Sequence, residues 1–381
     1  MLFVTLLFFI TFISRFIFSP LMPTIGADVG LSPSQAGSLF FLASLGVLGG
    51  SLLSGFMSAR IKHRGTLIFA ALVTGVTLMA CYFAHSVWFV RIAMIVLGMC
   101  AGLNQPSVVA TVAAMVRRED WGKALSLQQL GPRLSYAAAP FLAVALLVVF
   151  SWQASLAILG LFAAVSGIAF LFWGDCGGFP GTPPNLRRFG GIMRQRSFWI
   201  MVLLFALGIG AQAGLYTMIP LYLTEERGFS ASSANTLLGL VMIPPLFTTF
   251  FAGWLTDRIG EKRAILLFMI LTGLAIIAVA GTSSGWLVAS MFALSAFSAC
   301  FFPPAFAALS RIVQPNLRSL VAGLAPPSAF LLGGGLLPIA LGYMGEAYSF
   351  SLGFILTGLA VIAGAFLVFA LRLLDNLEEG C

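Results

Sequence analysis

Residues 261–281 read Glu-Lys-Arg-Ala-Ile-Leu-Leu-Phe-Met-Ile-Leu-Thr-Gly-Leu-Ala-Ile-Ile-Ala-Val-Ala-Gly: three charged residues, then eighteen with no charge at all. A run of that length crosses the hydrocarbon core of a bilayer as a helix, and it is far too long for a barrel strand of about 10 residues. Working outward, similar runs fall near residues 2–22, 34–58, 65–84, 87–116, 124–149 and 152–173, then 197–223, 233–256, 285–312, 319–344 and 349–372. Lipid offers no partner for backbone N–H and C=O groups, so each run has to satisfy its own as a helix. The expected fold is all-α, a polytopic membrane protein with twelve transmembrane helices in two six-helix, pseudo-symmetric bundles. Composition agrees: 60% of the 381 residues are hydrophobic and 8% charged, with a mean hydropathy of +1.04. Soluble domains carry roughly a quarter charged residues, so a water-soluble globular protein is excluded.

The net charge of +8 does not point to nucleic acid, because the basic residues sit in short clusters between apolar runs. Even-numbered connections hold Arg60, Lys62 and Arg64; Arg117, Arg118 and Lys123; Arg187, Arg188, Arg194 and Arg196; Arg258, Lys262 and Arg263; Arg311 and Arg318; the tail adds Arg372. Odd-numbered connections hold only Arg227. The asymmetry predicts that both termini are cytoplasmic. Minimal loops without a glycosylation sequon suggest a cell inner membrane. The first run carries Arg15 and has no small-residue cleavage pattern behind it, so it reads as a span and not as a removable signal. Cys81, Cys100 and Cys300 lie within apolar runs and read as packing residues.

The chain divides into residues 1–173, a Gly/Pro/Arg-rich linker at 174–196, and residues 197–381. An offset of 198 relates the halves: Gly55 matches Gly253, Arg60 matches Arg258, Pro106 matches Pro304 and Pro140 matches Pro338. Parallel duplication of this kind builds a midplane site that opens to either side in turn. No phosphate-binding G-x-x-x-x-G-K-[ST] loop is present and no extramembrane segment is long enough for a catalytic module, so the chain is expected not to be an enzyme and to need no cofactor or metal.

The connection Gly253-Trp254-Leu255-Thr256-Asp257-Arg258-Ile259-Gly260-Glu261-Lys262-Arg263 resembles the G-x-x-x-D-R-x-G-x-[RK]-[RK] signature of the major facilitator superfamily. Its first-half copy, GFMSARIKHRG at Gly55–Gly65, keeps Gly55 and Arg60 but has Ala59 at the acidic position. Arg91 resembles the family's fourth-span arginine, with Ile95 where the family usually has glycine. The resemblance implies that spans 1, 4, 7 and 10 line a central cavity. It also implies that Gly253, Asp257, Arg258, Arg60 and Arg91 take part in conformational gating, with Asp257 capping a helix or pairing with a base.

Three arginines lie within spans. Arg15 sits thirteen residues into the first, where a charged side chain costs roughly 2.5–3.5 kcal/mol on insertion scales. Its neighbours Phe8, Thr11, Phe12, Phe18 and Ser19 form a mixed aromatic and hydroxyl stripe. Pro23 follows it by eight residues, a spacing that resembles the organophosphate/phosphate antiporters and related organic-anion transporters. Arg133 in the fifth span shares a face with Gln129 and Tyr136, whereas Arg91 is near enough to a surface to snorkel. All twelve carboxylates fall in loops or at span ends, as do His63 and His85, so the passenger is expected to bring the charge that balances Arg15 and Arg133.

These readings converge on a secondary transporter of a small organic anion (carboxylate, phosphate ester or sulfonate) that works by alternating access. It would be a proton symporter or an anion exchanger, and a monomer among membrane lipid. The expected substrate-binding residues are Arg15, Arg133, Gln129, Tyr136, Asn104 and Gln105, with Gln212 and Tyr216 in the second half. The 36 phenylalanines leave open an exporter of amphipathic drugs or lipids, and a non-transporting sensor with a transporter fold is the third alternative.

Overall fold

The computed structural model describes residues 1–84, 86–117, 120, 124, 127–181, 191–282, 284–314 and 317–373. Outside it lie His85, Arg118, Glu119, Lys123, Arg187, Arg188, Asp375, Glu378, Glu379 and the middle of the linker. Among the described residues eleven continuous helices are long and apolar enough to cross a membrane. One of them, Pro33–Phe83, has 51 residues. At 1.5 Å per residue it would run about 75 Å, more than twice the ~30 Å hydrocarbon core, unless it turned back. It does so at Lys62, where the backbone takes φ 65°, ψ 167°. The segment is therefore two spans, and the described chain carries twelve.

We number them α1 (Leu2–Val29), α2 (33–61), α3 (63–83), α4 (Val87–Met115), α5 (Leu130–Leu147), α6 (Trp152–Trp173), α7 (Arg196–Glu226), α8 (Ala231–Ile259), α9 (Glu261–Gly281), α10 (Gly285–Arg311), α11 (Val321–Ala347) and α12 (Phe350–Ala370). Several starts are written in local sequence. Ser32 and Gln35 close a capping box ahead of α2, and Ser86 caps α4. By contacts the chain gathers into two compact units, residues 1–184 with 217–240, and residues 185–216 with 241–381. Residues 217–240 thus group with the first unit rather than with the half in which they occur. Asn235 Nδ2 donates to the Pro20 carbonyl at 2.9 Å, and a Cβ on Gly239 would press on the Phe141 ring.

The 198-residue offset reaches further into the structure than the four pairs found in sequence. Lys62 corresponds to Gly260, whose φ 82°, ψ 157° is nearly the same backbone state. That region is essentially a glycine one, so the first unit holds a lysine under strain where the second has a glycine. Arg64 donates to the Leu171 carbonyl at the end of α6, and its counterpart Lys262 donates to the Leu371 carbonyl just past α12, both at 2.8 Å. Each base satisfies a terminal carbonyl and sits at the negative end of a helix dipole. Ser151 caps α6 as Ser349 caps α12.

Close crossings repeat as well. A Cβ on Gly75 of α3 would lie 2.7 Å from the Gly160 carbonyl of α6, and one on Gly273 of α9 would lie 2.7 Å from the Gly358 carbonyl of α12. With no hydrophobic force between helices in lipid, such small-residue contacts let backbones approach and gain dispersion. The described start of the linker packs on the turn between α2 and α3: Arg64 N–H donates to the Gly177 carbonyl and His63 N–H to that of Phe179. His63, a loop residue by sequence, is buried there, 3.2 Å from Ser107 Oγ.

Replacing Gly160 with Leu should cost about 1–3 kcal/mol by forcing α3 and α6 apart. Gly253→Ala, where a Cβ meets nothing within 4 Å, should leave stability unchanged or slightly higher. Lys62→Gly should raise stability by about 1 kcal/mol through relief of the strained φ. Thermal unfolding of the detergent-solubilised protein reads all three, and a destabilised Lys62→Gly variant would contradict the strain.

Candidate functional site

The site is assembled on α1. Thr11 Oγ1 and Ser14 Oγ donate back to the Leu7 and Ile10 carbonyls at 2.9 and 2.7 Å, which satisfies two hydroxyl protons inside the helix. One turn beyond Thr11, Arg15 is only 5% exposed. Its Cζ lies 4.7 Å from the centre of the Phe16 ring and 5.5 Å from that of Phe12. Cation–π contacts of this kind are worth about 2 kcal/mol when desolvated, which offsets part of the burial cost. Phe16 in turn stacks on Tyr136 of α5, with ring centres 3.9 Å apart, and Tyr136 is within electrostatic reach of the guanidinium.

Tyr136 is carried there by the crossing of α1 with α5. Ser135 Oγ donates to the Phe9 carbonyl at 3.0 Å, and at Gly131 a Cβ would lie 3.3 Å from Phe9 N and the Thr5 carbonyl. Sequence spacing assigned Tyr136 to the face of Arg133, whereas the structure brings it to Arg15. Arg133 itself is half-buried, three residues earlier on α5. Asn104 of α4 is 1% exposed and donates through Nδ2 to Thr11 Oγ1, so three helices meet within a turn of Arg15. Gln105 is half-buried, and Gln129 is exposed while its neighbour Gln128 is buried.

Gln212 and Tyr216 belong to the second unit, half-buried and buried respectively on α7. Here the sequence missed a feature. Residues Gly210–Gly214 and Leu331–Leu336 form π-helical turns, a geometry frequent at functional sites. They contain Ala213 and Leu331, the offset counterparts of Arg15 and Arg133. A Cβ on Gly214 would collide with the Gly333 carbonyl, so the two irregular turns pack on each other. The run Gly333-Gly334-Gly335 was the available signal.

The residues expected to gate are spread over several helix ends. Arg60 is exposed, Arg91 lies 4.7 Å over the exposed Trp88 ring, and Arg258 lies 4.1 Å over Trp254. Asp257 is exposed and does not cap α9, whose N-cap residue is Gly260 with no side-chain cap. The turn between α8 and α9 is tied instead by Glu261, which accepts from Arg311 of α10 at 2.7 Å. A second acid is engaged at another helix end, where Asp28 accepts from Trp152 Nε1 at 2.8 Å and Gln153 Nε2 at 3.0 Å.

Volume points elsewhere. A cavity of about 660 Å³ in the second unit is bordered by Gln195, Arg196, Ser197, Gln314 and Arg372, and one of about 230 Å³ in the first by Met22, Pro23, Leu221 and Glu225. Arg196 and Arg372 are exposed, whereas the Arg15 charge is buried, the surroundings in which functional charges concentrate.

An all-helical bundle duplicated at a 198-residue offset, with a cation buried in its first span, defines a membrane carrier by class. The profile of the Major Facilitator Superfamily matches residues 4–244 and 201–380. The chain belongs to this superfamily of secondary transporters. A probable sulfoacetate transporter of Cupriavidus necator is 24% identical, aligned over 94% of this chain and 90% of its own. A putative metabolite transport protein of Haemophilus influenzae is also 24% identical, over 80% and 82%. The crystal structure of a bacterial homologue of the human lysosomal transporter Spinster superposes with a TM-score of 0.83 at 16% identity, over 97% and 95% of the two chains, and so shares the fold.

At pH 7, Glu261→Gln and Arg311→Gln should each lower stability by about 0.5–1 kcal/mol, with the double variant costing no more than either. Additive losses in the double variant would show that the two groups act independently.

Proposed function

We propose that this transporter carries a small organic anion (carboxylate, sulfonate or phosphate ester) by alternating access. The observation that supports it is the Arg15 guanidinium, roughly 20 Å along α1 at 1.5 Å per residue and buried among Phe12, Phe16 and Tyr136. In a medium of low dielectric a fixed positive charge attracts an oxyanion far more strongly than at a surface. Guanidinium geometry also matches a carboxylate or sulfonate through paired N–H donors. The aromatic rings beside it suit a passenger with an apolar part. The likeness to a protein named as a probable sulfoacetate transporter supports the same class of cargo.

In this reading Arg15 holds the anionic group, Arg133 adds a second charge from α5, Tyr136 and Asn104 orient the passenger, and Gln105 and Gln129 lie along its path. Gln212 and Tyr216 are the hydrogen-bonding groups of the second unit. Arg60, Arg91, Gly253, Asp257 and Arg258 act in the conformational cycle. The protein does no covalent chemistry and works as a monomer in a cell inner membrane with both termini cytoplasmic. A proton travels with the anion, or a second anion returns in exchange.

Uptake of labelled sulfonates and carboxylates into proteoliposomes tests this. Arg15→Ala should lose transport by about 100-fold or more and Arg133→Ala by about 10-fold, the scale of removing a buried charged hydrogen-bond partner. Parent-like flux in both variants would remove the anion reading. An anion that stabilises the protein without any flux would identify a sensor.

A further inference from the structure

The hydrogen-bond inventory around Thr11 restricts the passenger further. Thr11 has one hydroxyl proton, and it is given to the Leu7 carbonyl at 2.9 Å. Its oxygen then serves as the acceptor for Asn104, which fixes the orientation of that amide: Nδ2 faces Thr11. With the amide flipped, Oδ1 would face an oxygen whose proton is already engaged, and two acceptors would oppose each other. Asn104 Oδ1 therefore points away from Thr11. It is fully buried and has no hydrogen-bond partner. A buried acceptor left in this state costs about 1–3 kcal/mol, which a suitable donor recovers on arrival.

Thr11 and Arg15 are four residues apart on α1, neighbours on one helical face with Cβ atoms about 5–6 Å apart. Asn104, bonded to Thr11, therefore stands about one turn from the residue that bears the guanidinium. A passenger whose oxyanion lies on Arg15 and whose body extends toward α4 brings a substituent near its acid group to Asn104.

We infer that the transported anion also carries a hydrogen-bond donor, a hydroxyl or an amine near its acidic group, and that Asn104 Oδ1 receives it. The inference rests on Arg15 as the anion site. It deepens that reading from organic anions in general to hydroxy- and amino-substituted acids. A carbonyl at the same place opposes one acceptor to another, so keto acids are rejected, and plain alkyl acids leave Oδ1 unmatched. Asn104 sets specificity by this route, whereas Arg15 sets charge.

Two matched series measured by calorimetry on the intact, detergent-solubilised protein test it: propanoate, lactate and pyruvate; and ethanesulfonate, 2-hydroxyethanesulfonate and 2-aminoethanesulfonate. The hydroxylated member should bind about tenfold or more tightly than its unsubstituted and keto partners. In Asn104→Leu each series should collapse to the affinity of its unsubstituted member. Equal affinities within both series in wild type would overturn the inference while leaving the anion site intact. A preference for the hydroxyl that survives in Asn104→Leu would overturn the assignment to Asn104. If no member of either series binds, the anion reading itself falls, and this inference with it. The wild-type ranking needs no variant, so a misfolded Asn104→Leu still leaves a decisive measurement.

Discussion

A guanidinium held out of water inside a membrane span requires that everything around it be chosen for it. Arg15 meets this requirement with the faces of Phe12 and Phe16, and with Tyr136 stacked on Phe16 from α5. The contact of Phe16 with Tyr136 needs a close approach of α1 and α5, which the absence of a side chain at Gly131 allows and the Ser135 bond to Phe9 secures. The third helix, α4, is tied to the same turn through Asn104 and Thr11. Burial of one charge thus constrains three helices. It also places that charge in low-dielectric surroundings, where its field is least screened.

The duplicated scaffold explains why such a site can be built on one side only. Both units keep the same structural devices: a turn in the glycine region of φ, a base bonded to the last carbonyls of the sixth span, a serine cap on that span, and a glycine-to-glycine crossing. These hold each bundle together and leave the remaining positions free to diverge. At the counterparts of Arg15 and Arg133 the second unit has Ala213 and Leu331, and there the helices loosen into π turns rather than accommodating charge. At these two positions one unit carries charge and the other an irregular backbone. The strained Lys62 shows that the divergence extends to the turns, where a basic side chain has been kept at the expense of an easier backbone.

Much of the fold was legible because the membrane simplifies the code. A bilayer core of fixed thickness turns apolar run length into span count, and the turn at Lys62 falls within the charged cluster that separated the second and third runs. The repeat was legible too, though only at four of its positions; the paired glycines at 75 and 273, and at 160 and 358, stood at the same offset unread. Of the site, Arg15 was visible as a charge where none should be tolerated. Its partner Tyr136 was assigned to Arg133 by helical spacing, which describes one helix and is blind to the neighbour across the crossing.

By itself, then, the sequence determined quantities that depend on the chain and the solvent alone: how many helices, where they turn, which residues pay for immersion in lipid, and that the halves are copies. Tertiary structure decided which groups from different helices meet. It put Tyr136 with Arg15, paired Glu261 with Arg311, buried His63, and oriented the Asn104 amide. The physical reason is that hydrogen bonds and ring contacts act over a few ångströms between residues distant in sequence. Helix crossing angles and axial shifts fix those distances, and no periodicity within a single span encodes them.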